Sequence, residues 1–125
     1  MKLFIEYYFP TWNEYINNER VNKYQANKIK QADKDAVKWL VKEKYEGNYP
    51  VTLKIRPYFK TKRRDLDNFR MKGLIDGLIA AGVIKNDNLT CIDRIILEPV
   101  FADKVGVEIE IEESTWQKGE CLQKK

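Results

Sequence analysis

An amphipathic stretch near the middle of the chain constrains the fold more than any other feature. From Asn68 to Ala81 large apolar residues recur at helical spacing, and Gly82 follows where helices commonly end in a left-handed turn. Before it, Val51 to Arg56 alternates strictly between apolar and polar residues, as a strand with one buried face does. The sequence therefore predicts a strand, a helix and a chain reversal at the centre of the fold.

The elements on either side are predicted from local patterns. Residues 2–9 are β-branched and aromatic, which favours a strand. Thr11 with Glu14 three residues later forms a capping box that predicts a helix beginning at Trp12. The helical pattern continues to Tyr45. One unbroken helix of about 34 residues would reach roughly 50 Å, so a break within 31–35 is an alternative.

Two further strands, 91–100 and 105–112, complete the predicted domain. The order β-α-β-α-β-β predicts a single α+β domain with one mixed β-sheet and two main helices. We expect the domain to cover residues 1–113 and residues 114–125 to form a loose C-terminal tail. The acidic row of the last strand, Glu108, Glu110 and Glu112, would repel DNA and is expected beside Lys54 and Arg56.

Composition excludes several kinds of site. The chain has 125 residues, 43% hydrophobic and 34% charged, as expected of one globular domain. It contains no histidine, which excludes imidazole zinc sites and Ser-His-Asp triads. Cys91 and Cys121 are too few for a disulfide framework and predict free thiols. The first residues do not resemble a secretory signal and no apolar run would span a membrane, so we expect a cytoplasmic protein.

Charge is distributed unevenly along the chain. Eight cations lie between residues 54 and 72, whereas residues 98–113 hold six acids and one lysine. The cations are Lys54, Arg56, Lys60, Lys62, Arg63, Arg64, Arg70 and Lys72. A basic segment around a pair of acids suits a polyanionic partner that is brought to a metal ion.

The acids within this basic segment predict a metal site. If residues 63–67 are extended, Asp65 and Asp67 point to the same face, and like charges so placed repel unless a cation lies between them. Mg²⁺ accepts one or two carboxylates together with water and phosphate oxygens. Asp87 is the candidate third ligand, provided that the chain doubles back after Gly82. As an alternative, Asp67 or Asn68 is an ordinary helix N-cap, and 86–88 is only a turn.

A polar stripe follows one face of the first predicted helix. Arg20, Lys23, Asn27, Lys30 and Lys34 recur at spacings of three and four. Such a stripe is either a solvated face or a rail for a DNA backbone.

These features resemble the RusA-type Holliday junction resolvases, including phage and prophage members. The resemblance extends from about Phe9 to Ile96 and is densest over 56–88. The residues that carry it are Asn13-Glu14-Tyr15-Ile16-Asn17, Arg64-Asp65-Leu66-Asp67-Asn68, Lys72 with Asp76, Asp76-Gly77-Leu78, Ala81-Gly82-Val83 and Asp87. The resemblance implies a RusA-like fold, a homodimer and a bacterial host cell.

The resemblance also implies roles for individual residues. Asp65, Asp67 and Asp87 would be catalytic and hold Mg²⁺, for which Mn²⁺ substitutes, and Arg64 would contact DNA. The family's catalytic lysine follows the second aspartate by four residues, where this chain has Met71. Lys72 comes one residue later and is the expected catalytic lysine, with Arg70 as its rival.

The predicted function is Mg²⁺-dependent, structure-selective cleavage of four-way DNA junctions by paired phosphodiester hydrolysis. Lys60, Lys62 and Arg63 are expected to hold the DNA backbone, together with Arg70 and Arg20. Neither a membrane nor a small-molecule cofactor is expected. The first alternative is a non-catalytic junction-binding or duplex-binding protein of the same fold, and the second is a protein-interaction domain.

Overall fold

The computed structural model describes residues 1–21 and 23–115. The strands are β1 Lys2–Ile5, β2 Val51–Phe59, β3 Ile92–Leu97, β4 Val100–Phe101 and β5 Val107–Glu113. The helices are α1 Trp12–Val21, α2 Lys23–Leu40 and α3 Met71–Ala80, and a short 3₁₀ helix covers Leu66–Asn68. Cys121 and nearly all of the predicted tail lie outside the described residues. None of the described helices is long and apolar enough to cross a lipid bilayer.

The strands form one mixed sheet in the order β1-β5-β2-β3, with β4 paired to the end of β2. β5 runs antiparallel to β1 and β2, whereas β2 and β3 are parallel. A parallel pair needs a crossover, and here the segment that contains α3 supplies it. The predicted α+β domain with a mixed sheet is confirmed, although residues 1–21 and 23–115 form three α-helices rather than two.

The core lies between one face of the sheet and helices α2 and α3. The alternating residues of β2 and β5 supply its floor: Val51, Leu53, Ile55, Val107, Ile109 and Ile111 are all buried. Leu74 and Leu78 of α3 and Val37 of α2 cover them. The inward face predicted for β2 is therefore confirmed. Burying a side chain of this size stabilises the fold by about 1.5–3 kcal/mol relative to leaving it exposed.

The first helical segment differs from its prediction in length and division. Its start is confirmed, because the Glu14 amide donates to Thr11 Oγ1 at 3.2 Å and the Thr11 hydroxyl donates to Glu14 Oε1 at 3.2 Å. α2, however, continues through residues 31–35 without a break and ends at Leu40 rather than Tyr45. Lys30 Nζ of α2 lies 5.5 Å from the centroid of the Tyr15 ring of α1, so the two helices pack side by side and do not form one rod of roughly 50 Å.

The outer face of the sheet neutralises the acidic row of β5. Arg56 Nη1 lies 2.7 Å from Glu108 Oε2 and 3.1 Å from Glu110 Oε1. Lys54 Nζ lies 3.4 Å from Glu112 Oε1. Antiparallel register places Arg56 opposite Glu108 and Lys54 opposite Glu110. The predicted placement beside Lys54 and Arg56 is confirmed.

This outer face predicts acid sensitivity with a definite sign. Hydrogen bonds to Glu112 and Arg56 lower the pKa of Glu110 below its ordinary 4.5. A carboxyl group with a lowered folded-state pKa contributes stability above its unfolded pKa, and this is lost as the pH falls through the folded value. We expect the free energy of unfolding, measured with urea, to fall between about pH 5 and about pH 3. Arg56→Gln should flatten that acid limb, and an unchanged slope would contradict the assignment.

Candidate active site

The acidic residues lie on a tight turn between β2 and α3. Asp65 has φ −86° and ψ 130° and precedes the 3₁₀ helix Leu66–Asn68. The Asn68 amide donates to the Asp65 carbonyl at 3.1 Å, which closes the turn. Asn68 Oδ1 in turn accepts from the Asn13 amide at 3.2 Å, which ties the turn to the start of α1. The expectation of extended backbone through residue 67 is therefore wrong, because the turn's own hydrogen bonds coil it.

The carboxylates of this turn face solvent. Asp65 and Asp67 are exposed, and neither carboxylate has a hydrogen bond or an ion pair with any other described residue. The alternative that Asp67 or Asn68 caps the following helix is wrong, because the N-cap residue of α3 is Arg70. Two unpartnered carboxylates two residues apart, on a loop fixed by backbone hydrogen bonds, leave their oxygens available to a ligand.

Asp87 lies beyond the reversal that follows α3. Gly82 has φ +77°, the left-handed conformation predicted for it. Val83 and Ile84 then enter the core, and the Lys85 amide donates to the Tyr49 hydroxyl at 3.1 Å. Asp87 itself is exposed, and its amide donates to Asn86 Oδ1 at 2.7 Å. With α3 only 10 residues long, the helix between the acid turn and this turn spans roughly 15 Å.

The structure does not gather the predicted acids into one cluster. Across residues 1–21 and 23–115 no three His, Cys, Asp or Glu side chains are grouped so that they could hold a metal ion. Asp65, Asp67 and Asp87 are thus not assembled as a three-ligand site. No described cation bonds to any of the three, and their mutual repulsion opposes close approach. The donors of Asp65 and Asp67 alone still fit Mg²⁺, a hard ion that binds through one or two carboxylates.

Lys72 stands on the exposed side of α3. Its Nζ lies 3.9 Å from Asp76 Oδ2, and its side chain is 67% exposed. Such a pair contributes well under 1 kcal/mol to the free energy of unfolding, so the Lys72 ammonium group can leave Asp76 to bind another anion. Lys72 also lines a cleft with Lys30 of α2 and Trp12 of α1. The structure thus places one member of the predicted polar stripe beside the expected catalytic lysine.

Arg70 is buried instead of facing solvent. It is 3% exposed, and both of its terminal nitrogens bond to Asp33 Oδ2, with the Nη1 contact at 2.6 Å. The Tyr7 hydroxyl donates to the other oxygen of Asp33 at 3.1 Å. Burial raises the pKa of Asp33, while the guanidinium opposes that rise. Burial, together with the Asp33 charge and hydrogen bond, raises the pKa of Tyr7 to about 12.

This position argues against both roles predicted for Arg70. A guanidinium so enclosed does not reach a DNA phosphate, and it is not available to replace the catalytic lysine. Its charge is needed instead to offset a buried carboxylate. Nothing in the local sequence marks Arg70 as different from its exposed neighbours. The sequence did contain one indication that a buried cation was needed, because Asp33 falls on the apolar face of α2 with Ala26 and Val37.

The remaining predicted DNA contacts are exposed and clustered before the acid turn. Lys62 Nζ lies 5.4 Å above the Phe101 ring, and Arg64 Nη1 donates to the Tyr8 hydroxyl at 3.2 Å. Lys60 Nζ is 3.8 Å from Asp103 Oδ1, a loose and exposed pair. Arg63 is exposed too. We call residues 60–64 the cationic loop. The side chain of Arg20 lies outside the described part.

The amino-acid sequence matches a known family of proteins. A family model described as Endodeoxyribonuclease RusA matches residues 7–112. The chain belongs to the RusA endodeoxyribonuclease family. The resemblance expected from the acid turn, α3 and the start of α1 is therefore confirmed, and the matched range contains all three predicted aspartates.

One curated RusA relative extends this comparison. The protein named Crossover junction endodeoxyribonuclease RusA, from Aquifex aeolicus (strain VF5), is 32% identical over 84 residues. The aligned segment covers 64% of this chain and 65% of the relative. This chain thus spans slightly less than two thirds of that protein's length.

The buried ion pair predicts a large loss of stability when one partner is removed. Asp33→Ala leaves Arg70 charged and unpaired in the core, and we expect a loss of about 3–5 kcal/mol in the free energy of unfolding. Urea denaturation would measure it. The matched control is Asp76→Ala, which removes the partly exposed partner of Lys72 and should cost less than about 1 kcal/mol. Equal losses would show that the Arg70 pair contributes no more than a surface contact.

Proposed function

We propose that this RusA-family protein is a structure-selective endodeoxyribonuclease that cuts four-way DNA junctions. The observation that carries the proposal is the juxtaposition at the acid turn. Two exposed carboxylates without partners, Asp65 and Asp67, directly follow the exposed cationic loop. The family match supports the reaction class, and the relative's name supports the junction as substrate.

The acid turn is the part of the protein that would carry the chemistry. Asp65 and Asp67 would hold Mg²⁺ or Mn²⁺. The family resemblance adds Asp87 as a third ligand, although the described structure does not group it with the other two. When bound, the ion supplies Lewis-acid stabilisation of a phosphoryl oxygen and a water activated for attack. The backbone hydrogen bonds of the turn hold the two neighbouring carboxylates at the protein surface, where a phosphodiester backbone can approach them.

Lys72 would act on the charge that develops at the scissile phosphate. It projects from the second residue of α3, one turn beyond the acid turn, and its pairing with Asp76 is weak. An ammonium group there stabilises negative charge on the attacked phosphoryl group or on the leaving oxygen. Lys30, which lines the same cleft, adds a second cation on the DNA side.

The cationic loop would hold the DNA backbone. Lys60, Lys62, Arg63 and Arg64 are exposed and contact phosphates without reading the base sequence. Two of them rest against the aromatic rings of Phe101 and Tyr8, which limits their freedom before DNA binds. Their contribution to affinity should therefore depend strongly on salt concentration.

Resolution of a junction requires two cuts on opposed strands, whereas each chain offers a single acid turn. Two chains related by a two-fold axis would present two such turns with the symmetry of the junction. We therefore propose a homodimer as the active form.

A non-catalytic junction-binding protein is the second candidate. The observation that favours it is the lack of an assembled three-acid cluster in the described part of the chain. The same candidate is favoured by the position of the expected catalytic lysine, because Met71 stands at the family's spacing and Lys72 comes one residue later. The two candidates differ in one measurable outcome, which is whether the purified wild-type protein nicks a junction when divalent metal is added.

We expect Asp67→Asn to lower the rate of nicking of a synthetic four-way junction by about 100-fold or more, because it removes a charged oxygen donor from the acid turn. Binding of the junction in the presence of a chelator should persist. The matched control is Glu43→Gln, which makes the same charge change at an exposed acid just after α2. Wild-type protein that binds junctions but never nicks them across Mg²⁺ and Mn²⁺ titrations would instead support the second candidate.

Lys72→Met should lower the nicking rate by about 100-fold while weakening junction binding only slightly, since the charge acts at the reacting phosphate. Lys38→Met, at an exposed lysine of α2, controls for the loss of one positive charge. Single-turnover rates and dissociation constants would separate chemistry from binding. Equal effects of the two substitutions on the rate would place Lys72 outside the reaction.

A further inference from the structure

A cleft of about 170 Å³, which Lys72 does not line, opens beside the acid turn. Asp65 and Asn68 of that turn form part of its wall. The rest of the wall is mainly aromatic, from the segment after β1, the end of β2 and the start of the α3 region. The rings are those of Tyr7, Tyr8, Phe9, Tyr58, Phe59 and Phe69.

The inner rings of this aromatic cleft are held rigidly. Tyr7 and Phe9 meet edge to face at 4.8 Å between centroids, and Phe9 meets Phe69 at 6.3 Å. Phe9 is 3% exposed, so the floor is part of the core. A binding surface made of rings that are already fixed loses little conformational freedom when a ligand arrives.

Tyr8 lies at the solvent-exposed edge of the cleft. Tyr8 is 44% exposed, although the next residue, Phe9, is buried. Its hydroxyl donates to Glu14 and accepts from Arg64, so the ring is oriented by residues of α1 and of the cationic loop. The guanidinium of Arg64 lies 5.9 Å from the ring centroid.

Cations surround the mouth of this cleft. Lys60, Arg64 and Lys104 all line it, and Lys104 Nζ lies 5.9 Å from the centroid of the Tyr58 ring in its wall. The ligand that fits aromatic walls and a cationic rim has a flat π-system joined to an anion. An apolar cavity of about 150 Å³ accepts a single benzene ring, so this cleft has room for one planar heterocycle.

We propose that the aromatic cleft accepts one unstacked nucleobase of the DNA on which the acid turn acts. This inference rests on the proposed function and adds to it a specific contact between the protein and the substrate. Stacking on tyrosine and phenylalanine does not depend on which base is present, because every base has a π-face. The rim cations would bind the phosphate of the same nucleotide, and this would bring the adjoining phosphodiester toward Asp65.

Such a contact also favours branched DNA over continuous duplex. Extruding a base from a duplex costs stacking and pairing energy, and the stacking part is smaller where the continuous stack of base pairs is already broken. A junction supplies such a place at its point of strand exchange. The cleft therefore gives the protein a physical means of preferring junctions that phosphate contacts alone do not provide.

A double-mutant cycle measures whether the Tyr8 side chain interacts with one particular base of the junction. Dissociation constants are measured in the presence of a chelator for junctions that carry a single abasic site, moved one position at a time through the point of exchange. On the intact junction Tyr8→Ala should weaken binding by about 10-fold. At one position the abasic site should abolish that penalty, since the ring then has no base to stack on.

Two variants separate the ring from its other contacts. Tyr8→Phe keeps the ring but loses the hydrogen bonds to Glu14 and Arg64, and it should retain the position-dependent coupling. Tyr24→Ala removes a tyrosine ring from α2 that is 62% exposed and does not line the cleft, and it should show none. Unchanged urea midpoints would verify that the variants are folded.

The outcomes distinguish the inference from the proposed function. Salt-dependent junction binding with the same Tyr8→Ala penalty at every abasic position, or with no penalty, would overturn the nucleobase contact and leave the nuclease proposal in place. A wild-type protein that binds no DNA would overturn both.

Discussion

The buried ion pair between Arg70 and Asp33 is the interaction on which the arrangement of the site depends. Arg70 directly precedes α3 and follows Asp67 by three residues, whereas Asp33 belongs to α2. Tyr7, which lines the aromatic cleft, bonds to the same carboxylate. The Arg70–Asp33 pair therefore connects α2 and α3 to each other, to the acid turn and, through Tyr7, to the wall of the cleft.

The geometry of that pair leaves little freedom around it. A Cβ atom on Gly73 would meet the guanidinium of Arg70 and the carboxylate of Asp33, so α3 approaches α2 as closely as it does because residue 73 has no side chain. Replacing a buried pair by apolar residues often costs nothing, but removing one member leaves a charge in the core. The pair thus fixes orientation more than it adds net stability.

The fold was predictable wherever a local pattern decided it. The alternation of Val51, Leu53 and Ile55 identified the buried face of β2, and Gly82 marked the end of α3. The parallel pairing of β2 with β3 was not predictable, since no local pattern specifies strand order. The site was predictable in part for the same reason. Asp65 and Asp67 stood out by their spacing. Asp33, the partner of Arg70, lies 37 positions away in the sequence, so no local pattern could identify that pair.

The basic segment of the sequence contains two physically different groups of cations. Lys54, Arg56 and Arg70 are held in ion pairs with acids of β5 or α2, so they contribute to the fold. The exposed cations of the cationic loop directly adjoin the two unpartnered aspartates. Under the proposed function, affinity and reactivity would both depend on one short loop, and a substitution made there to change how long the substrate stays bound would also disturb the nearby carboxylates. Lys38 of α2 is exposed and does not line the cleft of Lys72, so a charge at that position would alter residence time on a nucleic acid with less effect on turnover.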